Sequence, residues 1–95
     1  MEKIEYTGIV FLLDHKYPEP LLNHSIKKLE GLGIKKDDIT ITASPEKPKI
    51  DDIVVEVFPY HLEIARVRTI RNDSFISGSL MPVELKADAD GKYID

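Results

Sequence analysis

The three arginines of this 95-residue chain, Arg66, Arg68 and Arg71, lie close together, whereas the lysines are spread from Lys3 to Lys92. A guanidinium presents a planar fork of donors that matches a carboxylate or a phosphate. In an extended strand, Arg66 and Arg68 would point to the same face about 7 Å apart, with Arg71 out of phase. The cluster is therefore a candidate site for a phosphate-bearing ligand, a nucleic-acid backbone or an acidic partner.

A structural role competes with the binding role of these arginines, because Glu56, Glu63 or Glu84 on neighbouring strands would pair with them in a solvated ladder. The net charge of −4 disfavours non-specific binding to nucleic acid or to an anionic membrane. Residues 62–71 also contain no aromatic side chain on which a base could stack. Nucleic acid therefore ranks below a protein as the expected partner.

A second candidate group combines Asp14, His15 and Tyr17, which follow the first predicted strand, with His61, which follows the third. Side chains converge at strand ends, so these four residues form an acid–base cluster if their loops meet. The alternative is that both histidines are solvated loop residues. The cluster supports the hypothesis of a minimal enzyme whose cleft lies between the subunits of an oligomer.

Motifs for metals and cofactors are weak. The chain has no cysteine, which excludes a disulfide, a thiolate nucleophile and a Cys-ligated metal. The pairs Asp37–Asp38 and Asp51–Asp52 each offer carboxylates, but Ca²⁺ takes about 6–8 oxygen ligands, so solvated acids at strand ends are favoured. Asp88–Gly91 is typical of a tight turn. We predict no metal site, no cofactor and no catalytic motif.

The first half of the chain predicts a strand, a helix and a second strand. Lys3–Leu13 is rich in strand-forming residues, and its end is apolar on both faces, which indicates a central strand. Gly8 interrupts this pattern at a bulge or a close backbone approach. Leucines at helical spacing predict an amphipathic helix over about 19–31, opened by prolines and ended by Gly31 and Gly33.

The second half predicts mainly strands. Residues 39–43 and 53–58 alternate or are apolar, and they would form a hairpin if they pair with each other. Residues 74–81 form a strand with a bulge at Gly78, and Pro82 makes the following residues 83–85 an edge or a separate short strand. Residues 92–95 add a last strand or fray.

Residues 59–71 fit two structures. Their β-branched content favours a strand, whereas Pro59 followed by apolar residues at helical spacing would open a helix. The strand gives an α+β fold, with one helix at about 19–31 packed on a mostly antiparallel sheet of 4–6 strands. The helix gives the ferredoxin-like split βαβ scheme. Either way, residues 1–95 form a single domain.

The sequence favours a binding module over an enzyme. The first apolar run, Ile9–Leu13, is too short for a signal peptide or a membrane span, so we expect a cytoplasmic protein without membrane contact. Frequent Ile, Lys and Glu resemble the composition of heat-adapted proteins. We expect a non-catalytic module that binds a protein partner or itself as a homodimer, with the anion site and the minimal enzyme as alternatives.

Overall fold

The computed structural model describes residues 3–72 and 74–94. Five strands form one mixed, mostly antiparallel sheet in the order β2-β1-β3-β4-β5, and β6 and β7 pair separately. The predicted α+β class, with one helix on a mostly antiparallel sheet, is confirmed. In chain order the elements are β1 (Val10–Leu13), α1 (Glu19–Gly31), a 3-10 turn (Lys36–Asp38), β2 (Ile39–Thr42), β3 (Ile53–Phe58), β4 (His61–Arg71), β5 (Ser74–Glu84), β6 (Lys86–Ala87) and β7 (Tyr93–Ile94).

Strand β1 lies at the centre of the parallel part of the sheet, between β2 and β3. Val10, Phe11 and Leu12 are all buried, as expected of a strand covered on both faces. The predicted start at Lys3 is wrong, since β1 begins at Val10. The backbone N–H of Ile4 instead donates to the Leu32 carbonyl at 2.8 Å, so this segment runs beside the end of α1.

The hairpin that residues 39–43 and 53–58 would form by pairing with each other is absent, so this prediction is wrong. Strands β2 and β3 each pair with β1, on opposite sides and in the parallel direction. Parallel neighbours need crossover connections, which α1 supplies between β1 and β2 and residues 43–52 supply between β2 and β3. Because β2 and β3 run in the same direction, Asp37–Asp38 and Asp51–Asp52 both lie at the end of the sheet where these strands begin.

The helix packs one apolar side on the sheet, and its local signals set its ends. Pro18 occupies the N-cap position, and a proline also lies in the first turn. Beyond the last turn, Gly33 adopts a φ of 95°, and the N–H of Ile34 donates to the Leu29 carbonyl. No helix among the described residues is long and apolar enough to cross a membrane. The main core combines residues of α1 with residues of the strands: Val10, Leu12, Leu21, Leu29, Ile34, Ile53, Val55, Val57, Leu62, Ile64 and Leu85.

Residues 61–71 are a strand, so the favoured strand is confirmed and the alternative helix over 59–71 is wrong. Strand β4 pairs with β3 on one side and β5 on the other, and a helix here would leave both neighbours without those bonds. The predicted bulge at Gly78 is also wrong. The register shifts fall at Arg68 and Leu80, while Gly78 stays paired with Arg66.

A smaller apolar cluster lies on the face of the sheet away from α1. Phe11, Val54 and Val67 are buried there, and Leu13 and Phe75 pack against them. The crossover of residues 43–52 reaches this side, because it shares a cleft of about 440 Å³ with the end of the β4–β5 hairpin. Both faces of the central strands are therefore covered over part of their length.

Tyr6 connects the segment before β1 to the 3-10 turn. Its hydroxyl donates to Asp38 Oδ2 at 2.6 Å and accepts the N–H of Lys35 at 2.9 Å. The bond to the Asp38 carboxylate raises the pKa of Tyr6 above its ordinary value. The stability that this hydrogen bond contributes is therefore complete at pH values below the ordinary pKa of tyrosine. It is lost as the pH rises through the raised pKa of Tyr6 in the folded protein.

Candidate interaction surface on the β4–β5 hairpin

The long free edge of the main sheet belongs to β5. This strand has 11 residues and pairs with β4 on one side, whereas the opposite edge strand, β2, has 4 residues. An edge strand presents unpaired N–H and C=O groups that can bond to another chain. How readily another chain can pair with such an edge depends on the residues that block it.

Strand β5 carries few of the devices that block an edge. Its one charged residue is Glu84 at its end, and it contains no lysine or arginine. Natural edges are commonly protected by charges, prolines and bulges. Pro82 and the register shift at Leu80 protect the second half of β5. Ser74–Ser79 has no proline, and the shift within its pairing puts the extra residue, Arg68, on β4 and not on β5. Within that first half, the side chain of Ile76 is 54% exposed.

The hydrogen bonds of Val67 show which β5 groups face outward. Its N–H donates to the Asp52 carbonyl and its C=O accepts the N–H of Asp51, both at 2.9 Å, so its backbone is directed away from β5. In an antiparallel pair such a residue faces a partner whose own N–H and C=O also point away. The partner is Ser77, and Ser79 is in the same phase. Both serines therefore offer a donor and an acceptor at the open edge.

The position of Pro82 agrees with this assignment of outward-facing and inward-facing residues on β5. It pairs with Glu63, which lies four residues before Val67 on β4 and in the same phase. The missing N–H of Pro82 therefore falls on the outer side, where a proline removes no bond of the sheet. The open edge of β5 thus has donors at Ser77 and Ser79 and none at Pro82.

The three candidate arginines lie at one end of this hairpin with different surroundings. Arg66 is half-buried, and its Nη2 donates to the Glu5 carbonyl at 2.7 Å. The exposed Arg68 side chain lies over Gly78, where an added Cβ would be 3.1 Å from Arg68 Nε. Arg71 is exposed at the end of β4. Arg66 therefore holds the segment before β1, and Arg68 and Arg71 are left as the accessible guanidinium groups.

The expected pairing of these arginines with Glu56, Glu63 or Glu84 does not form among residues 3–72 and 74–94. Glu63 instead lies 3.7 Å from His61, measured from Oε1 to Nε2. Glu56 is directly opposite Glu63, and Glu84 is directly opposite His61. The three glutamates thus lie at the end of the hairpin remote from the arginines.

The hairpin consequently has an acidic end and a basic end. Residues 56–63 and 82–85 contain three glutamates and no lysine or arginine, whereas residues 66–76 contain three arginines and one aspartate. Glu63 and Arg71 are eight residues apart on β4, or about 27 Å at the rise of an extended strand. Opposite charges separated along one edge favour a particular direction for any strand that pairs there.

The predicted acid–base group is brought together only in part. Asp14 Oδ1 accepts the N–H groups of Lys16 at 2.9 Å and Tyr17 at 3.2 Å, which closes the turn after β1. The rings of His15 and Tyr17 meet edge to face at 6.4 Å. His61 stacks on Phe58 at 4.6 Å in the β3–β4 hairpin. Asp14, His15 and Tyr17 therefore share a turn, while the side chain of His61 lies beside Phe58 and Glu63.

The acidic pairs make structural bonds. Asp38 accepts from Tyr6, and the buried Asp52 accepts the Lys49 N–H at 2.8 Å. Asp88 Oδ1 accepts the N–H groups of Asp90 and Lys92 at 2.9 Å, as expected of a tight turn. Over the described part of the chain, no group of three or more His, Asp or Glu side chains is placed to hold a metal ion.

The sequence did not reveal the cleft at the basic end of the hairpin, because that cleft depends on the crossover between β2 and β3. Its volume is about 440 Å³. Prolines of the crossover and apolar side chains of the hairpin form its walls, with a lysine and polar groups between them. The lining residues are Ser44, Pro45, Lys47, Pro48, Ile70, Asn72, Ser74 and Phe75.

Comparison of the chain with protein-family models, curated proteins and solved structures gives no match. Its function must therefore be inferred from its own geometry. The feature with the clearest chemical consequence is the open edge of β5.

Proposed function

We propose that this protein is a non-catalytic protein-interaction module that binds an extended polypeptide strand along the outer edge of β5. The observation that carries the proposal is the outward direction of the backbone groups of Ser77 and Ser79, in an 11-residue edge strand whose first half has no charge. In strand addition, main-chain hydrogen bonds supply affinity and alternate side chains supply specificity.

The side chains beside this edge differ between the two faces. Ile76 and Leu80 lie on the face that carries α1, and Leu80 packs against the main core. Ser77 and Ser79 lie on the other face, beside Glu56 and Glu63 at a small cavity. We expect a bound strand to place apolar side chains beside Ile76 and polar or basic ones on the glutamate side.

An anion site at Arg68 and Arg71 is the second candidate function. It is supported by the absence of a glutamate partner for either guanidinium among the described residues. Because phosphate binding releases counterions, this site would bind nucleotides or single-stranded nucleic acid with a strong dependence on salt. Replacing both arginines with alanine would then remove binding.

The proposed function is tested by selecting nonapeptides from a displayed random library and titrating the best into the isotope-labelled chain. We expect the largest amide shifts at Ser77 and Ser79. Inorganic phosphate and a single-stranded oligonucleotide are titrated in parallel, and shifts confined to Arg68 and Arg71 would favour the second candidate. Failure to select any peptide, or shifts that avoid β5, would contradict strand addition.

A further inference from the structure

We infer that the strand bound by β5 is the β5 of a second copy of this chain, in the antiparallel direction and about a two-fold axis at Gly78. The inference rests on the proposed function, because it names the occupant of the same edge. Three features of the hairpin select this arrangement: the outward backbone groups of β5, its apolar side chains and the opposite charges at the two ends of the hairpin.

The backbone groups at the centre of β5 are self-complementary. A two-fold axis at Gly78 places Ser77 opposite Ser79 of the second copy, and the reverse pair follows by symmetry. Each pair of outward-facing residues in an antiparallel ladder exchanges two N–H···O=C bonds, so the two pairs make about four. Gly78 lies on the axis with its own backbone directed toward β4, where it pairs with Arg66.

The side chains select this register over its neighbours. With the axis at Gly78, the half-exposed Ile76 lies opposite Leu80 of the second copy, and this apolar contact occurs twice. Moving the axis to Ser77 would place Ile76 opposite a glycine, and moving it to Ser79 would place it opposite Pro82. The axis at Gly78 therefore covers the most apolar surface among the registers that use the outward groups.

The charges select the antiparallel direction. In this register the Ser74 end of each β5 lies beside the Pro82 end of the second copy. Arg71, the β4 neighbour of Ser74, therefore comes to about the level of Glu63 of the second copy, three strand spacings or about 14 Å away. A parallel arrangement would bring the two acidic ends together and the two basic ends together. Attraction between the unlike ends is screened by salt, with a Debye length of about 8 Å at physiological ionic strength.

Sedimentation equilibrium of the full chain tests whether the partner is a second copy. We expect a mass that rises with concentration toward twice 10.8 kDa, and a dissociation constant several-fold larger at high salt. A 10.8 kDa monomer at every concentration would overturn the inference. If library peptides still bind β5 in that case, the proposed function stands without it.

Cross-linking tests the direction and register, and the absence of native cysteine makes the experiment clean. With a short bis-maleimide, we expect a mixture of Ser77→Cys and Ser79→Cys chains to link rapidly. Ser74→Cys chains should not link to each other, because the two sites lie about 27 Å apart. A dimer in which Ser74→Cys links to itself would contradict the antiparallel arrangement.

Charge reversal tests the contact between unlike ends with a matched pair of variants. At an ionic strength of about 0.01 M, where the Debye length is about 30 Å, Arg71→Glu alone and Glu63→Lys alone should each weaken self-association several-fold, because each replaces a long-range attraction between the two hairpins by a repulsion at both ends. An equimolar mixture of the two variants should recover the wild-type dissociation constant in the mixed dimer. Losses that persist in the mixture would show that these ends do not meet.

Discussion

Replacing Ser79 with proline is expected to raise the dissociation constant of a strand bound at β5 at least about tenfold, or about 1.4 kcal/mol. The substitution removes an outward N–H, whose bond contributes about 0.5–1.5 kcal/mol, and places the proline ring where the bound strand must lie. In the dimer the loss occurs at both symmetry-related sites. Pro82 already occupies an outward position, so the fold should tolerate a second one.

The matched control for this variant is Ser79→Ala, which keeps the backbone N–H and removes only an exposed hydroxyl. We expect its dissociation constant to stay within about twofold of the wild type. We would measure the dissociation constant of a selected peptide by fluorescence anisotropy. Sedimentation of the free chain would give the dissociation constant of the dimer. Equal losses in both variants, or no loss in the proline variant, would contradict binding through the outward backbone groups.

Replacing Gly8 with alanine is expected to lower the free energy of unfolding by roughly 1–3 kcal/mol. A Cβ at this position would overlap Oδ1 of Asp52. Asp52 is buried, its Oδ2 accepts the Lys49 N–H at 2.8 Å, and its carbonyl accepts the Val67 N–H. The carboxylate therefore cannot move away without breaking the bonds that close the start of β3. The sequence predicted a bulge or a close backbone approach at Gly8, and the atom that lies closest to its Cβ position belongs to the Asp52 side chain.

Gly31→Ala is the matched control for this substitution, since no atom lies within 4 Å of the Cβ position at the end of α1. Alanine is a better helix former than glycine, so the change should be neutral or stabilising by up to about 1 kcal/mol. Urea denaturation of both variants gives the comparison. A similar decrease in the free energy of unfolding for both variants would show that the contact with Asp52 does not cause the destabilisation at Gly8.

Local signals made the helix predictable from the sequence. The prolines at positions 18 and 20, the leucine spacing and the glycine at position 33 all act within a few residues, and α1 spans the expected Glu19–Gly31. The central position of β1 was equally accessible, because its run of apolar residues requires cover on both faces. These features depend on composition and spacing alone.

The pairing of the strands could not be predicted from the sequence in the same way. Whether β2 joins β3 or β1 depends on the path of residues 43–52, and both partners offer an apolar strand. The shifts at Arg68 and Leu80 arise where two 11-residue strands pair over their whole length, which no local pattern marks. The segment from Lys3 has strand-like alternation, but the Leu32 carbonyl takes its hydrogen bond.

The candidate surface combines both kinds of information. The low charge of β5 and the position of Pro82 can be read from the sequence, and the proline indicates an edge. The outward direction of Ser77 and Ser79 requires the hydrogen bonds of Val67, which involve the distant residues 51 and 52. Likewise, the clustering of the arginines was visible, but the contact of Arg66 with the Glu5 carbonyl was not.

Residue-resolved amide hydrogen exchange along β5 of the wild-type chain tests the central claim most directly. In dilute solution, Ser77 and Ser79 should exchange rapidly while Gly78, bonded toward β4, is protected. Raising the protein concentration or adding a selected peptide should slow exchange at the two serines and leave Gly78 unchanged. Protection of Ser77 and Ser79 in the dilute monomer, or unchanged exchange when a partner is bound, would contradict binding at this edge.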